Sequence, residues 1–489
     1  MDTLNSNDIA YCHWKSNFYL ARSLSGETDL DLFVERKSLP QVMTILRSLG
    51  YKPAVVIKWE TGTPGVFHYY GFDPQLDQLV HVHLFSCVLT GESFVKSHLF
   101  PFESMLLENA YYTGRIRVIF KPAELILFIL RIFIKYGSLL DLIYLFGKSE
   151  DIKAELRWLQ ASSDISETLG LLRKHCPPID EQLFIKCLDA LNTNSSLATR
   201  MVLGRQVQRR LRIYAKYTGI NRALAYIKLL CGQLQQRLGK KKNKMLYTGG
   251  AVIAFVGPDA SGKSTLISEC RHWLGEVFAV RTVHVGKPPS SCLTIPINTV
   301  LPLFRNLLPR LRTSHLEGQG YPMNPTQSPK VESLSSLVYA LRAVTLAWDR
   351  RHLLIKARRS AANGEIVICD RYPSERVGAM DSRRLQENPT KGGPIGAIYN
   401  WLARLEEQMY KQISPPDIVL QLGVSIETIK KRNRERIKAG KGQSANIESR
   451  HRQSQDWHRS GTKYLYDIDT EQPLAETILS VKRVIWESL

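Results

Sequence analysis

The residues best placed to do chemistry lie in one short run, Gly257-Pro258-Asp259-Ala260-Ser261-Gly262-Lys263-Ser264-Thr265, which fits the pattern G-x-x-x-x-G-K-[S/T]. Gly257 and Gly262 let the backbone curl so that its N–H groups face phosphate oxygens. Lys263 is long enough to reach the β- and γ-phosphates of a nucleoside triphosphate, and the Ser264 hydroxyl is a ligand suited to Mg²⁺. All nine positions, Gly257 through Thr265, are therefore candidates for binding ATP with Mg²⁺. Such a loop works only between a strand and a helix. The apolar run from Ala251 to Val256 reads as a buried strand, and Leu266-Ile267-Ser268-Glu269 reads as the start of a helix.

A second strand ends in an acid. Glu365-Ile366-Val367-Ile368-Cys369-Asp370-Arg371-Tyr372 puts Asp370 at the edge where the ligands of parallel sheets collect, a suitable place to hold part of a Mg²⁺ shell. Before it, Leu334 to Asn363 has helical spacing of Leu334, Leu337, Val338, Leu341, Val344 and Trp348, with Asp349-Arg350 inside, and Asn363-Gly364 stops it. After it, Pro415-Pro416-Asp417-Ile418-Val419-Leu420-Gln421-Leu422 reads as another core strand, and Tyr464 to Leu474 as a last strand and turn.

Taken in order, the loop, Asp349-Arg350, Asp370-Arg371-Tyr372 and the Pro415–Leu422 strand resemble thymidylate kinases, over about Ala251 to the C-terminus. That resemblance implies a doubly wound parallel sheet and transfer of the ATP γ-phosphoryl group to a nucleoside monophosphate or related phosphorylated acceptor. It implies Asp259 beside the acceptor sugar, Arg350 on the acceptor phosphate, Asp370 at the metal and Arg371 on phosphate. It also implies a basic lid where Lys430 to Lys438 lies; since the loop supplies only Lys263, Arg432, Arg434 and Arg436 are its candidate catalytic cations. Pro373 to Asp381 departs from the family's Ala-Tyr-Gln-like segment, which leaves the base unspecified.

Near the N-terminus, Asp29-Leu30-Asp31-Leu32 alternates, so two carboxylates share one strand face and form a candidate Mg²⁺ pair. With Trp14-Lys15-Ser16 upstream, this resembles the nucleotidyltransferase superfamily, with Lys15 where glycine is usual. His81 and His83 share a face in Leu79-Val80-His81-Val82-His83-Leu84, and His83 is a candidate to assist or replace a third acid.

These sites need elements to carry them. The 489 residues allow two to four domains, and an apolar content of 44% with 23% charged residues is that of an ordinary globular chain. The expected organisation is an α+β nucleotidyltransferase-like domain over 1–120, a helical module over 121–239, a basic linker over 240–250 and an α/β kinase-like domain over 251–489. A proline-rich insert runs from Lys287 to Lys330.

The net charge of +21 favours anionic partners, here a nucleotide or phosphorylated small molecule. The basic run Arg205, Arg209, Arg210, Arg212 and Lys216 is read as a hydrated helix face rather than a nucleic-acid surface. Glu124, Arg131, Lys135 and Asp141 interrupt the apolar segment Ala123 to Phe146, so no transmembrane span is expected. Scattered cysteines and an N-terminus unlike a signal peptide suggest a cytoplasmic protein; a homodimer is left open. The alternative reading gives nucleotidyl transfer to Asp29 and Asp31, with the ATP-binding domain as a regulatory switch.

Overall fold

The computed structural model describes residues 1–56, 65–91, 96–138, 149–193, 195–217, 244–291, 329–388, 393–438 and 457–489, and between them 141, 142, 145, 224, 227, 294 and 295. Most of the proline-rich insert, much of the basic linker and the polar stretch after Lys438 lie outside the described residues. The chain divides into two compact units, Met1–Lys242 and Asn243–Leu489. Among the described residues no helix is long and apolar enough to cross a membrane.

In the first unit, strands β1 (Tyr11–His13), β2 (Leu30–Val34), β3 (Lys52–Val56), β4 (Val66–Asp73) and β5 (Gln78–Phe85) are followed by a hairpin of β6 (Val88–Thr90) and β7 (His98–Phe100). β8 (Tyr111–Thr113) and β9 (Ile116–Val118) complete a mixed sheet ordered β3-β4-β5-β2-β1-β9-β8. Helix Lys121–Tyr136 is buried nearly all round, and its core is continuous with Cys12, Phe33 and Phe85 of the sheet and Val207 and Leu211 of the later helices. Sheet and helices thus share one interior. The helix keeps its acid because the buried Glu124 accepts hydrogen bonds from the Asn17 N–H (2.7 Å) and Lys121 Nζ (3.4 Å).

The second unit opens with the short strand β10 (Lys244–Leu246) and is built on β11 (Val252–Val256), β12 (Val280–His284), β13 (Ile366–Asp370), β14 (Ile418–Gly423) and β15 (Tyr464–Asp469). The last five form a sheet ordered β12-β13-β11-β14-β15, parallel throughout. Every residue of β11 is buried, which is why a central parallel strand reads as an unbroken apolar run rather than an alternating one. The 34-residue helix Pro329–Ala362 packs Ala340, Ala343, Ala347 and Ala357 into the core that contains Val252, Ala254 and Val367. Helices Lys263–Gly275 and Leu474–Ser488 meet through Trp273 and Trp486, with ring centroids 6.3 Å apart. β11 lies between β13 and β14, and the crevice at the C-terminal strand ends is where such sheets take ligands.

Candidate functional site

The loop leaving β11 has the backbone a phosphate cradle demands. Gly257 has φ +144°, Ala260 +65° and Gly262, which caps the helix Lys263–Gly275, +92°. A Cβ on Gly257 would sit 2.9 Å from the Leu422 carbonyl oxygen, so glycine is required by space as well as by torsion. Gly257→Ala is expected to lower the stability of this unit by about 1–3 kcal/mol and to weaken ATP binding. Thermal unfolding checks this, and an unchanged Tm contradicts it.

Lys263 is 6% exposed. Its Nζ donates to the Gly257 carbonyl (2.9 Å), the Pro258 carbonyl (2.5 Å) and Ser261 Oγ (3.3 Å). Burial lowers the ammonium pKa to about 8, aided by Arg371 and opposed by Asp259, Asp370 and Asp381. Ser264 and Thr265, in the first turn of the helix, are exposed. The helix start thus presents a hydroxyl and backbone N–H groups to an incoming anion.

Asp370 pairs with Phe255 across the β11–β13 ladder, at the edge from which the loop departs. Its Oδ2 lies 2.8 Å from His284 Nδ1, whereas Oδ1 is buried with no hydrogen-bond partner. An orphaned carboxylate oxygen beside a phosphate cradle fits a Mg²⁺ ion, which keeps much of its water and takes only one or two protein ligands. Among the described residues no three His, Cys, Asp or Glu side chains gather as metal ligands, so Ser264, Asp370 and substrate phosphates would make up the set.

Arginines and acids alternate beside the loop. Arg371, at φ +73°, donates its backbone N–H to the Phe255 carbonyl (2.9 Å) and pairs with Asp259 through Nη2 and with Asp381 Oδ2 (3.3 Å) through Nη1. Arg350 is 1% exposed and donates to the Val285 carbonyl (3.2 Å), Tyr410 Oη (3.0 Å) and Asp381 Oδ1 (2.6 Å). The result is a line of charge, Arg350–Asp381–Arg371–Asp259, from the long helix to the loop. Arg350, the candidate for an acceptor phosphate, is buried on protein oxygens, and Asp259, the candidate for the acceptor sugar, holds Arg371. Asp349, the neighbour of Arg350, accepts from Thr294 Oγ1 (2.8 Å) and the Ser291 N–H (3.0 Å).

Asp381 is the residue that sequence reasoning missed. Its φ is +64°, and the segment around it is fixed by Ser382 Oγ accepting from the Ser374 N–H (2.7 Å) and by buried Glu406 accepting from the N–H groups of Arg384 (3.1 Å) and Leu385 (2.8 Å). Burial raises the Glu406 pKa despite these bonds. The one available signal is an acid in a segment bare of regular structure between the strand Ile366–Asp370 and the helix Gly393–Lys411.

Of the lid candidates on helix Ile426–Lys438, Arg432 donates to the Thr470 carbonyl (2.7 Å) and so anchors the helix rather than projecting from it. Arg434 is exposed, and the Arg436 side chain lies outside the described residues.

In the first unit, Asp31 pairs with His83 across the β2–β5 ladder, and its Oδ1 lies 3.1 Å from both Lys15 Nζ and His83 Nδ1. Asp29, just before β2, contacts His81 Nδ1 at 2.7 Å. Burial works against the Asp31 carboxylate, but Lys15 and His83 outweigh it and hold its pKa below the usual range. Lys15, brought to about 8 by burial, lies 3.7 Å from the Phe85 ring centre. The residue standing where the nucleotidyltransferase pattern has glycine therefore supplies a cation to one of the two acids expected to hold metal.

Because folding depresses the Asp31 pKa, its stabilisation is complete above the unfolded carboxylate value of about 3.9 and disappears as pH falls through the folded value. Asp31→Asn is expected to cost about 1.5–3 kcal/mol at pH 7, with the gap to wild type closing toward acid. Unfolding titrations at several pH values check it; a gap constant with pH contradicts it.

No family model matches the chain, and no curated protein matches its sequence. Solved structures do align. The thymidylate kinase of Ehrlichia chaffeensis is 18% identical, covering 48% of this chain and 99% of its own, with a TM-score of 0.23. The thymidylate kinase of Candida albicans is 14% identical, covering 49% and 94%, with a TM-score of 0.26. At that level of likeness the chemistry rests on the side chains themselves.

Proposed function

We propose that the second unit is an ATP-dependent phosphotransferase, acting on a nucleoside monophosphate or another small acceptor. The observation that carries this reading is the convergence at one sheet edge of the Gly257–Gly262 cradle, buried Lys263 and the unpartnered Asp370 Oδ1. Phosphoryl transfer is mainly positioning and charge stabilisation, and these groups supply both. The loop N–H groups and Lys263 bind and orient the triphosphate, Ser264 and Asp370 would hold Mg²⁺, and Arg434 is the exposed one of the lid candidates whose side chains are described. When bound, Mg²⁺ supplies charge neutralisation on the phosphates. Arg371 fixes Asp259, and hence the loop's shape, by its carboxylate pair.

ADP release from ATP, measured over a panel of nucleosides, monosaccharides and their monophosphates with Lys263→Ala as control, tests the reading. Acceptor-stimulated release that vanishes in the variant is the expected outcome. Release unchanged in the variant would reject the site. For the first unit, the Asp29/Asp31 pair supports nucleotidyl transfer as a second reading only in that both acids face one side; pyrophosphate release lost in Asp29→Ala but kept in Lys263→Ala is its test.

A further inference from the structure

Resting on that reading, we propose that the acceptor is an uncharged alcohol, a sugar or nucleoside hydroxyl, rather than a monophosphate, because Asp381 already occupies the arginines that would receive a phosphate. Arg350 spends Nη2 on Asp381 Oδ1 and its other nitrogens on Val285 and Tyr410, at 1% exposure. Both terminal nitrogens of Arg371 are directed at carboxylates, Asp381 and Asp259. The pocket beside the loop is lined by Gly257, Tyr372, Met380 and Trp457 together with Arg371 and Asp381.

Lys263, Arg350 and Arg371 are interleaved here with Asp259, Asp370 and Asp381. Among the described residues lining the pocket, a dianion entering here would meet the Asp381 carboxylate and a guanidinium, Arg371, already paired with it. To displace Asp381 it would also have to leave that carboxylate, 11% exposed, without its arginine partners, and unpaired buried charge is costly. Asp381 is not loosely placed, since Ser382 and Glu406 fix the backbone on either side of it.

A neutral hydroxyl has the opposite need. The carboxylate uses one hydrogen bond on each oxygen for an arginine, which leaves lone pairs to accept the hydroxyl proton. The acceptor oxygen forms its bond to Pγ as the bond from Pγ to the β,γ-bridging oxygen breaks; ADP departs with that electron pair, and the hydroxyl proton passes to Asp381. A phosphate acceptor would bring no such proton requirement, and an acid in this position would only repel it.

The test is binding of inorganic phosphate, with a nonhydrolysable ATP analogue and Mg²⁺ present, to wild type and to Asp381→Asn, which removes the charge and can accept from only one of the two arginines, so that the other is released. Phosphate held in the loop itself is common to both proteins and cancels. At least tenfold tighter phosphate binding by the variant is expected; equal affinity overturns the proposal. In turnover, kcat/KM for hydroxyl acceptors should exceed that for their monophosphates at least tenfold, and a preference for monophosphates overturns it. If ATP fails to bind at all, phosphotransfer falls as a reading, while the phosphate comparison still decides the character of the pocket.

Discussion

Lys263→Ala is expected to cut acceptor-stimulated ADP release by about 10²–10³-fold, the loss typical of removing one preorganised charge from developing transition-state charge. In the structure every hydrogen bond of the ammonium goes to the loop, to the carbonyls of Gly257 and Pro258 and to Ser261 Oγ. It is held on the cradle, so it need not be recruited. Burial brings its pKa to about 8, below the ordinary lysine value of 10.5. Between those values the unfolded chain binds more protons than the folded one, so the unit gains stability as pH rises across that window. ATP binding runs the other way. The triphosphate favours the charged amine, so affinity falls above about pH 8 and binding takes up a proton there. Calorimetric titration in buffers of different ionisation enthalpy measures that uptake. Its presence in Lys263→Ala, or its absence in wild type, contradicts the assignment.

The largest stability effect is expected at Arg350. Arg350→Ala leaves Asp381 and Tyr410 without the guanidinium between them in a site where Arg350 itself is 1% exposed. Breaking a buried charge pair from one side costs about 3–5 kcal/mol, because the survivor is left desolvated. Asp381 retains Arg371, which limits the loss to the lower part of that range. The double variant Arg350→Met with Asp381→Leu is expected to recover part of the stability, since apolar groups of similar size carry no desolvation penalty. Denaturant unfolding of the three proteins decides it. A loss under 1 kcal/mol in Arg350→Ala would mean that the charge line contributes little.

What could be read from the sequence follows from how local each cause is. The loop was legible because positive φ at Gly257 and Gly262 and the lysine after them are matters of neighbouring residues. Asp370 was legible because a run of buried apolar residues ending in an acid fixes both the strand and its C-terminal edge. The partners of Arg350 were not. Asp381 lies in a segment without helix or strand, and only the fold brings its carboxylate 2.6 Å from a guanidinium on the long helix.

The same limit applies at Lys15. Alternation put Asp31 on one face and His83 on another strand's face, but the β2–β5 register that pairs them, and the turn that returns Lys15 to Asp31, are set by tertiary packing. Helix Lys121–Tyr136 reads from its helical apolar spacing as the start of a helical module over 121–239. In the structure Glu124 is buried with its own donors, and the helix shares the interior of the sheet.

On the proposed function, loop, lysine and strand-end acid meet on one magnesium-bound triphosphate. Titrating ATP into wild type, Ser264→Ala and Asp370→Asn, each with Mg²⁺ and with chelator, tests it most directly. Mg²⁺ is expected to tighten ATP binding in wild type, and this gain to fall at least tenfold in both variants, while binding in chelator is little changed. An undiminished Mg²⁺ gain in both variants would contradict it.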